Sequence, residues 1–118
     1  MNGRKHFALG RLKRGEMNAT ERDYGAELEQ RRRAGEVAWY RFEGLKLRLA
    51  DSTFLTVDYA VMRTDGVLEM HDVKGSRAIY MDDAKVKMKV AAEMYPFVFR
   101  VVYPRRKRDG GGWDIEEV

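Results

Sequence analysis

The sequence predicts an α/β domain in which helices flank a central mixed β-sheet. Two patterns predict this class: two segments with helix-start signals and helical spacing of apolar residues, and several segments in which apolar residues recur at every second position. Their order of helix, three or four strands, helix and strand is typical of a sheet packed between helices. The chain of 118 residues has the size of one domain.

The first helix is predicted over about residues 20–34. Thr20 is its expected N-cap, and Glu21 follows in the first turn, where the helix dipole favours acidic side chains. Tyr24 and Leu28, four residues apart, share one face, and Gly35 is the expected C-terminal cap. The second helix is predicted from Asp82 to about Met94.

Period-two alternation predicts the strands, with a hairpin turn at Asp65-Gly66. The expected strands are residues 37–42, 45–49, 53–63, 67–74 and 97–103. The three glycines at 110–112 indicate a flexible tail. We therefore expect a basic arm at residues 1–18, a folded domain at residues 19–103 and a charged tail at residues 104–118.

The net charge of +4 is distributed unevenly. Residues 1–18 carry five basic side chains and one acidic one, whereas residues 19–103 carry fourteen of each. Four consecutive basic residues, Arg105, Arg106, Lys107 and Arg108, then precede four acidic ones near the C-terminus. Basic segments on either side of a neutral domain suit a polyanion such as DNA, and solvated tails are the alternative.

The composition excludes several kinds of site. The chain has no cysteine and two histidines, so disulfides, thiolate metal sites and thiol nucleophiles are excluded and any metal is held mainly by oxygen. No apolar run has the length of a membrane span or a signal peptide. We expect a cytoplasmic protein with no membrane partner.

Three polar residues interrupt the two central strands. Asp58 lies within the apolar segment 54–62, and Asp72 and Lys74 share one side of the next strand while Val73 and His71 lie on the other. The hairpin places these strands side by side, so the two carboxylates and the ammonium group converge. They can share a divalent cation, Mg²⁺ or Mn²⁺ for oxygen ligands, or form a structural ion pair.

Asp58 followed by Asp72-Val73-Lys74 resembles the motif of the PD-(D/E)XK nuclease superfamily, and the order of elements is similar to its restriction-endonuclease-like core. The chain is also similar over nearly its whole length to small phage and prophage nuclease-like proteins of this superfamily, through residues 17–21, 39–43, 71–75 and 82–87. Val57 stands where the motif often has proline, and residues 76–81 depart from the usual aromatic and acidic residues.

This resemblance implies a Mg²⁺- or Mn²⁺-dependent DNA endonuclease that hydrolyses phosphodiester bonds. Asp58 and Asp72 would bind the metal together with Glu21 of the first helix, for which Glu27 is the alternative, and Lys74 would act beside them. The resemblance also implies a homodimer that is encoded by a phage or prophage and acts in the bacterial host on recombination intermediates such as branched or Holliday junctions.

Basic side chains in the arm, on the second helix and after the last strand are the expected DNA contacts. They are Arg11, Lys13, Arg14, Lys85, Lys89, Arg105, Arg106, Lys107 and Arg108. Two other functions fit the same residues: a non-catalytic DNA-binding or assembly protein on a nuclease scaffold, and a nuclease that acts on RNA.

Overall fold

A computed structural model describes residues 15–77 and 82–118. The helices are α1 (Ala19–Arg33) and α2 (Asp82–Met94). The strands are β1 (Val37–Phe42), β2 (Lys46–Ala50), β3 (Thr53–Thr56), β4 (Tyr59–Arg63), β5 (Leu68–Val73), β6 (Val98–Pro104) and β7 (Trp113–Glu117). Residues 1–14 of the predicted arm, and residues 78–81, lie outside the described residues.

The predicted α/β class with a mixed sheet and flanking helices is confirmed. Five strands form the main sheet in the order β1-β4-β5-β6-β7, and β2 and β3 form a separate two-stranded hairpin. β5 and β6 are parallel, while the other pairs in the sheet are antiparallel. The connection between the two parallel strands contains α2, as a parallel pair requires. No helix in the described ranges is long and apolar enough to cross a membrane.

Two apolar clusters lie on the opposite faces of the main sheet. On one face, Tyr24 and Leu28 of α1 pack against alternating residues of the central strands, including Tyr59 and Val73. On the other face, Met88 and Ala91 of α2 and the β2–β3 hairpin cover a second cluster. Because both faces are covered, a carboxylate on a central strand is drawn out of water unless it lies near a strand end.

The predicted ends of α1 are right at the C-terminus and wrong at the N-terminus. Asn18, not Thr20, is the N-cap, and it forms a capping box with Glu21: each side chain accepts a hydrogen bond from the other residue's backbone N–H. At the other end Gly35 has φ +82°, and Gly35 N–H and Glu36 N–H donate to the carbonyls of Arg32 and Arg31. This is a Schellman cap, which requires the left-handed conformation that glycine adopts readily.

The segment predicted as one strand, residues 53–63, forms two strands in two different sheets. β3 pairs with β2, whereas β4 pairs with β1 and β5. The chain passes from the hairpin to the main sheet at Val57 and Asp58. Val57 is fully buried, so the apolar pattern continues through a position where the pairing changes.

The C-terminal segment is not a flexible tail, and β6 is not the last strand. After a short 3₁₀ turn at Lys107–Asp109 and the three glycines, β7 returns antiparallel to β6 as an edge strand. Gly110 has φ +101°, which explains why glycine occupies this turn. Trp113 packs edge-to-face on Tyr24 with ring centroids 5.0 Å apart. The run of basic and acidic residues around β7 concealed its alternation.

We expect Trp113→Ala to destabilise the protein. Trp113 is half-buried against the α1 cluster, so the loss is about 2–3 kcal/mol, which lowers Tm by roughly 10 °C. Trp39→Ala is the matched control, because Trp39 is 42% exposed. Thermal unfolding followed by circular dichroism tests this, and an equal, small effect of both changes would indicate that residues 113–117 do not form a packed strand.

Candidate metal and nucleic-acid site

The candidate site lies at one end of the central strands of the main sheet. β5 and the parallel β6 end there, and β4 begins there because it runs antiparallel to β5. Asp58 directly precedes β4, Asp72 is the penultimate residue of β5, and Lys74 follows β5. Pairing of Tyr59 with His71 sets the register that brings Asp58 opposite Asp72. We call Asp58, Asp72 and Lys74 the Asp58 cluster.

The structure brings these three predicted residues together. The Asp58 carboxylate accepts a hydrogen bond from Val73 N–H at 2.7 Å, and Lys74 Nζ lies 3.2 Å from Asp72 Oδ2. Asp72 is buried, with 8% of its surface exposed, while Asp58 and Lys74 are half-buried. Val73 packs in the α1 cluster on the other face, as the strand alternation predicted. The cluster is therefore partly shielded from water, yet it remains accessible at the strand ends.

Asp58 is the perturbed carboxylate of the cluster. Burial, followed by the charge and the hydrogen bonding of Asp72, raises the pKa of Asp58 from 3.8 to about 9, and the Val73 N–H only partly opposes this. The metal-free cluster therefore retains a proton on Asp58 at neutral pH. Two adjacent carboxylates with one ammonium group carry excess negative charge when that proton leaves, and a divalent cation compensates such a pair through oxygen ligands. The cluster thus supplies two of the oxygen ligands that the metal expected from the sequence would need.

Glu21 lies near the cluster but is engaged elsewhere. Its side chain completes the capping box of α1, and its charge contributes to the raised pKa of Asp58. Within residues 15–77 and 82–118 no three His, Asp or Glu side chains form a group that could hold a metal. The prediction that Glu21 is a third ligand stays a prediction. The alternative, Glu27, is in an ion pair with Arg31 at 2.7 Å.

A buried polar network lies on the opposite face, and the sequence pattern did not predict that its residues bond to one another. Tyr24 Oη is 2.7 Å from His71 Nδ1, and His71 Nε2 is 2.7 Å from Glu69 Oε1, which also pairs with Arg100 at 3.1 Å. Burial lowers the pKa of His71, so its ring is neutral at physiological pH. The expectation that His71 faces away from Asp72 is confirmed, and His71 is buried there. The sequence signal for this network is that Glu69 and His71, two residues apart, point to the same face of one strand.

The predicted DNA contacts differ in how they are engaged. Arg105 pairs with Asp114 at 3.4 Å and Arg106 with Asp109 at 3.3 Å, whereas Lys107 and Arg108 are exposed and make no ion pair with any described residue. Their turn follows β6. Because β6 runs parallel to β5, this turn lies at the same strand ends as the Asp58 cluster. Lys85 and Lys89 are exposed on α2. Arg11, Lys13 and Arg14 lie outside the described residues.

We expect Asp58→Asn to stabilise the metal-free protein at alkaline pH. Because the pKa of Asp58 is raised on folding, the folded state holds a proton that the unfolded state releases between about pH 4 and pH 9, and stability falls as pH rises through this window. The amide removes this loss and its oxygen can still accept from Val73 N–H. In EDTA at pH 8, Tm should rise by about 5 °C or more, and the gain should vanish near pH 4.

Asp51→Asn is the control for this titration, because Asp51 is an exposed turn residue. Thermal unfolding of the three proteins across pH 4–9 provides the measurement. If Asp58→Asn and Asp51→Asn follow the wild-type pH profile equally, then the two carboxylates of the cluster do not interact as described.

Comparisons of the chain with protein-family models, with curated proteins and with solved structures find no match. The resemblance to PD-(D/E)XK nucleases therefore depends on the motif residues themselves, and the function is argued below from the Asp58 cluster.

Proposed function

We propose that the protein is a divalent-metal-dependent DNA endonuclease of the PD-(D/E)XK type. The observation that supports this most strongly is the Asp58 cluster: two carboxylates opposite each other on adjacent strands, one with a raised pKa and the other in an ion pair with a lysine. Perturbed acidic pairs at an accessible edge are typical of functional sites. The helix–meander–helix–strand order of the chain supports the restriction-endonuclease-like variant of the α/β class.

Asp58 and Asp72 would hold Mg²⁺ or Mn²⁺. When bound there, such an ion would supply positive charge for the phosphoryl transition state and would lower the pKa of a water nucleophile. The chain's own contribution is positional, since Val73 N–H orients the Asp58 carboxylate and β4–β5 pairing fixes it opposite Asp72. Lys74, half-buried, is placed to donate a hydrogen bond to a phosphate oxygen or to the attacking water.

Glu21 is the proposed third carboxylate of the metal site, with Glu27 as the alternative. Glu21 is on the first turn of α1 and its charge already acts on Asp58. To bind the ion, its side chain would give up the hydrogen bond from Asn18 N–H, a cost of about 1 kcal/mol. Removal of Glu21 should therefore affect helix stability and metal affinity separately.

Lys107 and Arg108 are the strongest proposed phosphate contacts among the described residues. They follow β6 at the strand ends that carry the Asp58 cluster, and no described carboxylate pairs with them. Lys85, Lys89 and the arm residues Arg11, Lys13 and Arg14 extend the same proposal. We further propose a homodimer, because two active sites are needed to cut both strands of a junction in one event. A phage or prophage origin and a role in recombination belong to the same proposal.

A second candidate is a non-catalytic DNA-binding protein on the same scaffold. The ion pair between Asp72 and Lys74 and the hydrogen bond from Val73 N–H to Asp58 favour it, because both contacts satisfy the carboxylates without a metal. The two candidates differ in what Mg²⁺ does, and in whether Lys74 affects cleavage or only stability.

We expect metal binding and cleavage to depend on the same residues. Mg²⁺ should raise the Tm of the wild type in proportion to the logarithm of its concentration, and neither Asp58→Asn nor Asp72→Asn should respond. With Mg²⁺ or Mn²⁺, the wild type should cut DNA, tested as linear duplex, single strand and four-way junction, with an RNA strand as the comparison. Lys74→Ala should reduce the cleavage rate by about 100-fold or more.

Lys87→Ala is the matched control for Lys74→Ala, because Lys87 is an exposed lysine of α2. A wild type that cuts no substrate, or a Lys74→Ala variant that cuts at the wild-type rate, would remove the enzyme proposal. Cleavage of RNA but not DNA would identify the RNA nuclease instead.

The proposed phosphate contacts predict a change in salt dependence. The double change Lys107→Gln and Arg108→Gln should reduce the slope of log K against log salt concentration by about 2, because each lost phosphate contact releases about one counterion fewer. Arg105→Gln with Arg106→Gln should reduce it less, since both residues are already paired with acids. Fluorescence anisotropy with duplex DNA measures the slopes, and equal slopes for all three proteins would contradict this part of the proposal.

A further inference from the structure

A cavity of about 490 Å³ opens between α1 and the edge strand β1. Three aromatic rings line it, from Tyr40 and Phe42 of β1 and Tyr59 of β4. Its volume is within the range of small-molecule and nucleotide pockets. The proposed metal chemistry does not use this surface.

The rings form a fixed aromatic surface. Phe42 packs edge-on to Tyr59 with centroids 5.4 Å apart, and Tyr40 lies 6.3 Å from the same ring. Tyr40 donates a hydrogen bond to Glu29 at 2.9 Å, and Tyr59 donates to the Glu21 carbonyl at 2.8 Å. Both phenols are thus anchored before any ligand arrives, which lowers the entropic cost of binding a flat group.

Gly25 keeps α1 close to this surface. A Cβ atom at position 25 would lie 2.4 Å from Tyr59 Oη and 3.3 Å from its Cζ, so no other residue permits the bond between Tyr59 and the helix. Gly25 costs helix stability relative to alanine, and the close approach to Tyr59 accounts for its presence at an internal helix position.

Two guanidinium groups at this cavity are available for an anion. Arg22 and Arg41 line it, are exposed, and form no ion pair with a carboxylate of residues 15–77 or 82–118. Arg22 donates only a long hydrogen bond, 3.4 Å, to the Met17 carbonyl. The acidic residue of the cavity, Glu29, is ionised and paired with Arg32 and Arg33. Hydrogen bonds from Arg32, Tyr40 and Arg33 lower its pKa to about 2.

A second cavity, of about 300 Å³, provides the contrast. Its arginines are engaged: Arg100 and Arg63 both contact Glu69, at 3.1 and 3.5 Å, and Arg31 pairs with Glu27. Its arginines are therefore paired with acidic residues, two of them with Glu69 of the His71 network. The combination of aromatic rings with uncommitted arginines belongs to the cavity beside β1.

The cavity beside β1 and the Asp58 cluster are connected through the start of β4 and the first turn of α1. Tyr59 directly follows Asp58 in the chain, and its hydroxyl contacts the backbone of Glu21, whose carboxylate acts on Asp58. Tyr59 packs on the α1 face of the sheet, whereas Asp72 lies on the face opposite Val73, so the cavity is a binding surface separate from the cluster. A base that is paired and stacked in a duplex cannot enter such a pocket, whereas an unpaired base can.

We propose that the cavity beside β1 binds a nucleobase of unpaired DNA by stacking, while Arg22 and Arg41 contact the flanking phosphates. This inference rests on the proposed function for the identity of the ligand, and it specifies the substrate class: DNA that contains single-stranded nucleotides. Binding at the cavity does not require the metal or cleavage.

The test measures binding in EDTA, so that an inactive protein gives the same information. The probes are a fluorescent twelve-nucleotide thymidine strand, an abasic strand of the same length and a blunt twelve-base-pair duplex, followed by anisotropy. Tyr40→Leu and Phe42→Leu should each weaken binding of the thymidine strand by about 5- to 100-fold and leave the abasic strand and the duplex unchanged. Tyr40→Phe, which keeps the ring, should bind as the wild type.

Trp39→Leu is the matched control, because Trp39 is an exposed aromatic residue of the same strand that does not line the cavity. Equal affinity of Tyr40→Leu and wild type for the thymidine strand, or an equal loss for Trp39→Leu, overturns the proposal, as does an equal loss on the abasic strand. Arg22→Gln and Arg41→Gln provide a second test that leaves the rings intact: each should weaken both single strands by severalfold, and no loss on either overturns the phosphate contacts.

Discussion

Two carboxylates placed side by side at the end of two central strands are the constraint on which the site depends. Asp58 and Asp72 cannot both be ionised at little cost where the sheet faces are covered by apolar clusters, so the chain surrounds them with Val73 N–H, Lys74 and a retained proton. Each of these partners follows from the pairing of β4 with β5. Without a metal the pair depends on these contacts and on the raised pKa of Asp58, and a bound divalent cation is the further compensation that we propose.

The other elements of the fold position charged groups around these strand ends. The parallel pair β5 and β6 brings the basic turn after β6 to the same side as the cluster, and α1 begins close enough for Glu21 to act on Asp58. Covering both faces of the sheet lowers the local dielectric and strengthens the interaction between the carboxylates. The network of Tyr24, His71 and Glu69 satisfies the polar groups on the reverse face, so the central strands can carry polar residues on both sides.

Much of this arrangement is predictable from the sequence, and the failures have physical causes. Strand alternation and the Asp65-Gly66 turn suffice to place Asp58, Asp72 and Lys74 together, because both depend on local geometry. The break between β3 and β4 was missed because a buried Val57 continues the apolar pattern while the pairing partner changes. β7 was missed because its charged residues face solvent along an edge, and the true N-cap, Asn18, was missed because Thr20 satisfies the same local preference. The cavity beside β1 depends on tertiary contacts that no local pattern encodes.

We propose that a divalent cation binds the Asp58–Asp72 pair and displaces the proton that the raised pKa of Asp58 retains. Titration of the Asp58 side-chain carboxyl carbon by nuclear magnetic resonance, with and without Mg²⁺, measures this directly. The account predicts that Asp58 titrates well above its ordinary pKa of 3.8, near 9, in EDTA, and that saturating Mg²⁺ moves the titration to acidic pH. An Asp58 carboxyl that titrates near pH 4 in EDTA, or one that Mg²⁺ leaves unchanged, would contradict it.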